Sequence, residues 1–492
     1  MDPLEVAKNF LRNIPDLIIQ YKVALIIMAT IIILYLIAKR FLETIVHLLP
    51  EVEIPKRHIP FKEKIIWTFV VLIIYFIMGE IPLYGITQSA QDWFGMLKSV
   101  LASEQGTLLH LGIGPIVTAG IFMQLFQGAE MLNFDLTTHE GKALFQGAQK
   151  LLAIFLCFFE AFMYAYGGGF GSLSVNILVL MVMQIGFGAF LVMMLDEVVT
   201  KWGFGSGISL FIAGGVAKDI LWKSLSWTEA KQYPGQLIGA IPSFIQSVIR
   251  GEPTFIRGGA LPDVTQLLFT VIVFLLVVYF ESMRIEIPLS YGRFKGVRGR
   301  YPIRFIYASN IPVILAVSMF GSMTLVAKLT FQKLGWTFLG SYDEQGGVRG
   351  GLMYYLSPPR SLTTILQEWD RALIYLIVLI AICIVFALLW IEMTNMGPKA
   401  VAKQLQQSGM QIPGFRKDIR IVEKVLERYI PQVTVMGGAA VGLLSGFADF
   451  TGALGTGTGI LLTVGIVFRM YEDLMREQVS EMFPALRGFL ER

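Results

Sequence analysis

The chain has 492 residues, of which 55% are hydrophobic and 15% are charged, and its mean hydropathy is +0.64. Soluble globular proteins carry about 25% charged residues, so the composition excludes a row of soluble domains, as well as disordered, collagen-like, coiled-coil and disulfide-scaffold proteins. The net charge of +4 is too small to indicate a nucleic-acid partner. Cys157 and Cys383 lie inside apolar runs and are predicted to be small buried hydrophobic residues.

Eleven apolar segments follow one another along the chain, and each is predicted to be a helix within a membrane. Pro115 interrupts the third segment and the sixth starts in a glycine-rich string, and such breaks are tolerated where a helix lines a cavity. The predicted fold class is therefore an all-α polytopic membrane protein. The segments are 17–38, 63–86, 107–127, 145–166, 173–195, 206–222, 262–283, 302–330, 369–393, 433–450 and 457–475.

Segment 17–38 leaves two alternatives open. It contains Gln20 and Lys22 but is otherwise apolar, and Lys39 and Arg40 follow it directly. It either spans the membrane or lies at its surface as an interfacial helix. A cleaved secretory signal is not expected, because no small-residue cleavage site precedes Lys39.

Lysine and arginine residues are concentrated in the connections 39–64, 281–304 and 392–431 and at the C-terminus. By the positive-inside rule these parts are cytoplasmic. The strings Glu80-Ile-Pro-Leu and Glu286-Ile-Pro-Leu then lie on opposite sides, as an inverted repeat of two five-helix halves requires.

Signatures of catalysis and of cofactor binding are missing from the sequence. It contains no phosphate-binding G-x-x-x-x-G-K-[ST] string, its four histidines lie far apart, and no nucleophile is paired with a histidine and an acid. We therefore predict no enzymatic activity, no cofactor and no metal site. Glu160 and Asp449 are expected to cap helices or face polar interfaces. Four acids at helix ends are expected to face water: Asp196, Glu197, Glu281 and Glu392.

Residues 88–104 differ from the spans on either side of them. Trp93, Met96, Leu97 and Val100 have the spacing of a short helix with one apolar face. Such a helix either rests on the membrane surface or packs, as a mobile element, into a cavity of the protein itself. The spacing alone leaves both alternatives open.

Seven strings along the chain resemble archaeal SecY, the family of channel-forming subunits of the protein-conducting Sec translocon. The resemblance runs from about Leu49 to the C-terminus, whereas residues 1–48 depart from the usual ten-span pattern of the family. The strings are Phe61-Lys-Glu-Lys, Leu111-Gly-Ile-Gly-Pro-Ile-Val-Thr-Ala-Gly, Ala143-Leu-Phe-Gln-Gly-Ala-Gln-Lys, Gly205-Ser-Gly-Ile-Ser-Leu-Phe-Ile, Tyr301-Pro-Ile-Arg-Phe, Ser309-Asn-Ile-Pro-Val-Ile-Leu and Gly459-Ile-Leu-Leu.

The resemblance implies a ten-helix channel of two pseudo-symmetric five-helix halves. Residues 1–48 would be an extension with a possible extra membrane helix, 49–258 the N-terminal half and 259–492 the C-terminal half. The channel would pass unfolded secretory polypeptides across the cytoplasmic membrane and release transmembrane segments sideways into lipid. The implied partners are a SecE-like (gamma) subunit, a small beta subunit and a ribosome on the cytoplasmic face.

On the same resemblance, an apolar ring closes the pore, because hydrocarbon dewets when empty and offers a passing chain no hydrogen bonds. The ring residues implied are Ile113, Val117, Ile208, Ile212, Ile314 and Leu462. Any one of these residues alone could be an ordinary core residue. The prediction of a ring rests on the positions of all six in segments that contain proline and glycine breaks. Residues 88–104 would be the plug, with limits at about Ala90 and Leu101.

The resemblance also implies a lateral gate between the pair 107–127/145–166 and the pair 302–330/369–393. Thr118 and Ser322 are the candidate polar residues inside it. The two basic cytoplasmic loops would dock the ribosome. Their candidate docking residues are Arg284, Arg293, Lys295, Arg298, Arg300, Arg416 and Lys417.

An inverted-repeat secondary transporter of a small solute is the alternative function. Such a transporter needs a polar or charged site at the membrane midplane, and Glu160 would be its candidate. The sequence instead places aliphatic residues beside its broken helices and carries large basic loops on one side. A protein-conducting channel is therefore the preferred prediction.

Overall fold

A computed structural model describes helices at ten of the eleven apolar segments, and segment 17–38 lies outside the described residues. The described residues are 49–57, 59–86, 101–128, 132, 134, 138–166, 170, 174–230, 233–252, 254–257, 261–291, 298–308, 311–342, 348–359, 362–394, 396–407, 410–411 and 419–482.

Five long helices form the first half of the bundle, and a short hairpin and a ten-residue helix follow them. These elements are α1 (Phe61–Glu80), α2 (Gly114–Gly128), α3 (His139–Tyr166), α4 (Val175–Trp202), α5 (Gly207–Leu225), β1 (Glu229–Ala230), β2 (Tyr233–Leu237) and α6 (Ala240–Ile249).

The second half also contains five long helices, with short strands and helices between them. Its elements are α7 (Val264–Ser282), β3 (Arg284–Tyr291), β4 (Arg298–Arg304), α8 (Ile311–Leu334), β5 (Ser341–Tyr342), β6 (Val348–Gly350), α9 (Leu352–Tyr355), α10 (Leu362–Gln367), α11 (Trp369–Met393), α12 (Pro398–Gln407), β7 (Met410–Gln411), α13 (Ile419–Phe450) and α14 (Gly457–Met482).

Two predicted segments do not begin as helices. Residues 107–113 form turns, and α2 begins at Gly114 with Pro115 in its first turn. A proline fits there because the first amides of a helix have no partner within it, so Pro115 begins the helix rather than interrupting it. The predicted segment 302–330 starts inside β4, and its helix begins only at Ile311.

Among the described residues, six helices are long and apolar enough to cross a membrane: those within α3, α4, α7, α8, α11 and α13. The other four long helices are shorter or carry more charge. The shortest, α2, has 15 residues and measures about 22 Å, less than the hydrocarbon core of a bilayer. Cys157 and Cys383 are buried free thiols, as predicted.

Candidate pore, gate and docking surface

All six aliphatic residues assigned to the ring lie in one hydrophobic cluster, which we call the ring cluster. Ile113, Ile212 and Leu462 are buried in it, and Val117, Ile208 and Ile314 pack against it partly buried. Ile113 precedes α2, and the other five lie in the first two turns of α2, α5, α8 and α14. The fold therefore brings these residues together from both halves of the chain.

The glycine-rich string before α5 determines where Ile208 is placed. The Oδ1 atom of Asp196 on α4 accepts a hydrogen bond from the Ile208 amide at 2.9 Å and caps the start of α5. A Cβ atom on Gly207 would lie 2.6 Å from the Asp196 Cα atom, so only glycine permits this close approach of the two helices.

A buried polar site holds the start of α14, the helix that carries Leu462. The two carboxylate oxygens of Asp449 accept hydrogen bonds from the Gly457 amide at 2.9 Å and from the Tyr375 hydroxyl at 3.2 Å. Asp449 is 9% exposed. The prediction that Asp449 caps a helix is therefore confirmed, and Tyr375 on α11 ties that cap to a third helix.

The end of the predicted plug, which the structure describes from Leu101 onward, is fixed to the turn before α2. The Ile113 amide donates to the Leu101 carbonyl at 2.9 Å, and the Tyr75 hydroxyl of α1 donates to the Ala102 carbonyl. Gly112 has a φ of +55°, and a Cβ atom there would lie 2.1 Å from the Leu101 carbonyl oxygen. The end of this segment is thus held next to a ring residue.

Thr118 lies near the start of α2 and contacts an acid on α3. Its hydroxyl donates to the Gly114 carbonyl at 2.8 Å and interacts with the Glu160 side chain, as expected for an acid at a polar interface. The same helix α2 also lies against α11 of the opposite half. It therefore borders both halves of the bundle.

The two basic loops are joined by a three-stranded sheet in the order β4–β3–β7. β3 and β4 form an antiparallel hairpin in which Arg284 is opposite Arg304. β7, from the second loop, pairs with the other edge of β3 through Ser290 and Tyr291. Loops separated by more than a hundred residues therefore form one unit.

Ion pairs connect this hairpin to α14. Glu472 binds Arg284 at 2.7 Å through one carboxylate oxygen and Arg304 at 2.6 Å through the other. Five residues further along α14, Glu477 pairs with Lys64 of α1. The helix that carries Leu462 is thus bonded to the hairpin and to the first half.

The prediction that Glu281 faces water is wrong. Its side chain is only 4% exposed and lies close to Arg304 and Arg469. These arginines come from β4 and α14, distant parts of the sequence that fold around the end of α7. A buried carboxylate needs such neighbouring cations, which the local sequence does not reveal.

Two more of the four acids predicted to face water, Asp196 and Glu197, are partly buried. Asp196 is half-buried as the cap of α5, and Glu197 pairs with Lys150 and accepts the Val52 amide at 3.0 Å. Glu392 is exposed, as predicted. Within the described residues, no group of three His, Cys, Asp or Glu side chains is placed to hold a metal ion.

Other predicted site residues lie partly or wholly outside the described residues. The backbones of Ser322, Arg298 and Arg300 lie in α8 and β4, but their side chains are outside the described part. Wholly outside the described residues are Trp93, Met96, Leu97, Val100, Arg293, Lys295, Arg416 and Lys417.

A protein-family model for SecY matches residues 107–471. The chain belongs to the SecY family. A second model, the plug domain of Sec61p, matches residues 73–106, a range that includes the predicted plug at 88–104. Both matches lie in the part of the chain that carries the resemblance noted in the sequence.

Similarity to individual SecY proteins extends over most of the chain. Protein translocase subunit SecY of Pyrococcus horikoshii is 48% identical over 451 residues, which cover 89% of this chain and 96% of the relative. The SecY of Methanothermobacter thermautotrophicus is 46% identical over 456 residues, covering 92% of this chain and 99% of the relative.

Solved SecY-type structures agree with this assignment. One, described as the structure of a protein conducting channel, has 45% identity and a TM-score of 0.76, covering 90% of this chain and 98% of the other. Sec61 in the canine ribosome-channel complex from the endoplasmic reticulum has 44% identity and a TM-score of 0.74, with the same coverage. The predicted fold class and channel function are confirmed: the chain is a multi-pass membrane protein of the protein-conducting SecY channels.

Proposed function

We propose that this chain passes unfolded polypeptides through a pore between its halves, 49–258 and 259–492, and releases transmembrane segments sideways into lipid. The observation that carries this proposal is the ring cluster, which contains all six aliphatic side chains, five from four helices of both halves and Ile113 from the turn before α2. Aliphatic side chains offer no charge or hydrogen bond, so polar, charged and apolar residues of a substrate can all slide past them. The segment 88–104 is the plug that adds a second barrier.

The lateral gate is proposed between α2 and α3 on one side and α8 and α11 on the other. The contact of α2 with α11 and the polar pair Thr118 and Glu160 support this position. A segment leaves through the gate when lipid is the better solvent for it: each apolar residue gains about 0.3 to 0.6 kcal/mol, and each central charge costs about 2.5 to 3.5 kcal/mol. Ser322 of α8 is the candidate polar residue on the other side of the proposed gate.

The test is a comparison of polypeptide and solute transport by the purified complex in lipid vesicles. We expect an unfolded secretory polypeptide to become protected from added protease, and a hydrophobic segment within it to become extractable only with the lipid. Vesicles with a cross-link between α2 and α8 should show neither result. The uncross-linked cysteine variant is the matched control.

Two results would contradict the proposal. Normal segment insertion by the cross-linked protein would show that the gate lies elsewhere. Uptake of a small solute without any polypeptide transport would instead support the transporter alternative. The similarity to protein translocase subunits argues against that alternative.

The three-stranded sheet is the proposed ribosome-docking surface, on the cytoplasmic side with the C-terminus. Arg284 and Arg304 are held at its base by Glu472, and the hairpin places Arg298 and Arg300 on β4. Arginine suits the phosphates of ribosomal RNA because its guanidinium binds two oxygens at once. A SecE-like (gamma) subunit and a small beta subunit complete the proposed complex.

Replacing Arg293, Arg298 and Arg416 by glutamate should weaken ribosome binding by about tenfold or more at low salt, because three favourable phosphate contacts become repulsive. Sedimentation of ribosomes with the purified complex measures this. The control replaces two other arginines, Arg250 and Arg349, by glutamate. These arginines lie in connections on the opposite side of the predicted topology. If the loop variant bound ribosomes as well as the control variant, these loops would not be part of the docking surface.

A further inference from the structure

The short helix α6 presents its hydrophobic residues outward. Ile241, Ile245, Val248 and Ile249 follow the i, i+4, i+7, i+8 spacing of one helical face, and all four are exposed, Ile249 to 79%. Phe255 and Ile256, just after the helix, are also more than half exposed. We call these six residues the α6 apolar face.

The opposite side of α6, which packs against the protein, consists of small residues and includes two serines. Ala240, Pro242 and Ser243 are buried there. The Ser247 hydroxyl donates to the Phe244 carbonyl at 2.8 Å and accepts the Thr254 amide at 3.2 Å. A helix at the surface of a soluble protein has the reverse arrangement, so the environment outside α6 is expected to be apolar.

Ten residues make a helix of about 15 Å, which is too short to cross a membrane. α6 contacts α5 and α7, which run to and from the membrane on either side of it. The end of α5 exposes Trp222 and Leu225, and the first half of α7 exposes Leu268 and Val271. α6 is thus packed between two helices that also expose apolar residues.

Exposed aromatic and basic residues lie on the segments next to α6 in the chain. Trp222 and Trp227 are both more than half exposed, and exposed Arg250 directly follows the helix. Tryptophan is enriched at the level of lipid headgroups, and arginine at the edge of an apolar helical face is suited to headgroup phosphates.

We propose that α6 is an interfacial anchor that lies in the leaflet on the side opposite the β3–β4 hairpin. Its apolar face enters the boundary between headgroups and acyl chains to a depth of about 5 to 10 Å. The occupant of this surface is lipid. Because α6 lies between the two proposed halves of the chain, the anchor would hold their connection at the membrane surface.

The test places one spin label at a time on the purified complex in vesicles of phosphatidylcholine and phosphatidylglycerol. Cysteine replaces Ile241, Ile245, Val248 or Ile249 in a protein whose buried Cys157 and Cys383 have been changed to alanine. Collision rates are measured with oxygen, which dissolves in lipid, and with nickel-EDDA, which stays in water. Glu252→Cys is the water reference and Leu275→Cys on α7 is the lipid reference.

We expect all four α6 sites to lie between the two references, with nickel collision rates at least about fivefold below that of the Glu252 site. Nickel accessibility equal to that of Glu252 would place the face in water and overturn the proposal. Exclusion of both reagents would show that a protein subunit or a second copy covers the face, which would also overturn it. Four exposed sites give four separate measurements, so a defect in one variant does not decide the outcome.

Discussion

The ring cluster and the hairpin end of α14 both involve contacts between the proposed halves, but the chemistry of those contacts is opposite. The ring residues are branched aliphatic side chains that lie in one hydrophobic cluster. At the hairpin end, Lys64 of α1 pairs with Glu477, and Glu472 on the same helix pairs with two arginines of the hairpin. One helix, α14, takes part in both regions.

The difference follows from what each contact must do. Dispersion contacts between aliphatic groups are weak individually and have no required partner, so a seal made of them can open and close again in several arrangements. Ion pairs with two fixed oxygens prefer one geometry. A channel of this kind needs aliphatic contacts that can rearrange at its centre. It also needs ion pairs of fixed geometry where its helices are joined to one another.

The largest effect is expected from making the ring polar. Changing Ile113, Ile208 and Ile314 together to serine should raise the ion conductance of the purified channel by about tenfold or more without any substrate, because hydroxyl groups hold water in the constriction. Single-channel recording in planar bilayers measures this conductance. If the triple serine variant had the same low ion conductance as the original protein, these residues would be ordinary core residues and not the seal.

The matched control changes the same three isoleucines to valine. Valine keeps the constriction apolar and removes one methylene at each position. We expect the valine variant to remain closed, and a leak as large as that of the serine variant would mean that packing volume, rather than polarity, makes the seal.

An intermediate effect is expected at Asp449, which fixes the start of α14. Asp449→Leu removes the acceptor of the Gly457 amide and of the Tyr375 hydroxyl, which should cost about 1 to 3 kcal/mol for each buried group left without it. Asp449→Asn keeps one acceptor oxygen and should lose less. Thermal unfolding of the complex in detergent measures the difference. Equal losses would show that the negative charge matters more than the hydrogen bonds.

The smallest effect is expected at Glu472. Glu472→Gln removes two partly exposed ion pairs, which are worth about 1 kcal/mol or less each, so hydrogen exchange in β3 and β4 should accelerate by about fivefold. Mass spectrometry after deuterium labelling measures this exchange. Glu477→Gln on the same helix is the control, because its partner Lys64 is outside the hairpin. Equal acceleration in both variants would mean that α14 as a whole has loosened.

Hydropathy identified ten of the described helices because apolar length is a local property of the sequence. The family resemblance then selected six aliphatic residues that the fold gathers into one cluster. Where local patterns are ambiguous, the boundaries shifted: apolar residues 107–113 form turns, and 302–304 lie in a strand. Hydropathy does not distinguish an apolar strand or turn from the start of an apolar helix.

The contacts that depend on distant partners were not predictable from the sequence. Glu281 is buried close to Arg304 and Arg469, which come from other elements of the chain. The pairing of β7 with β3 and the bonding of Asp449 to Tyr375 likewise depend on the complete fold. Such long-range pairs have no local periodicity and no fixed spacing, so only the three-dimensional arrangement shows them.

The position of Glu472 on α14 makes this helix a lever. Ten residues separate it from Leu462, a distance of about 15 Å along a straight helix. If both ion pairs hold, a sideways displacement of the hairpin by about 3 Å corresponds to a tilt of about 10° around the ring residue. A small movement at the proposed docking sheet is therefore geometrically sufficient to change the angle at which α14 presents Leu462 to the proposed pore.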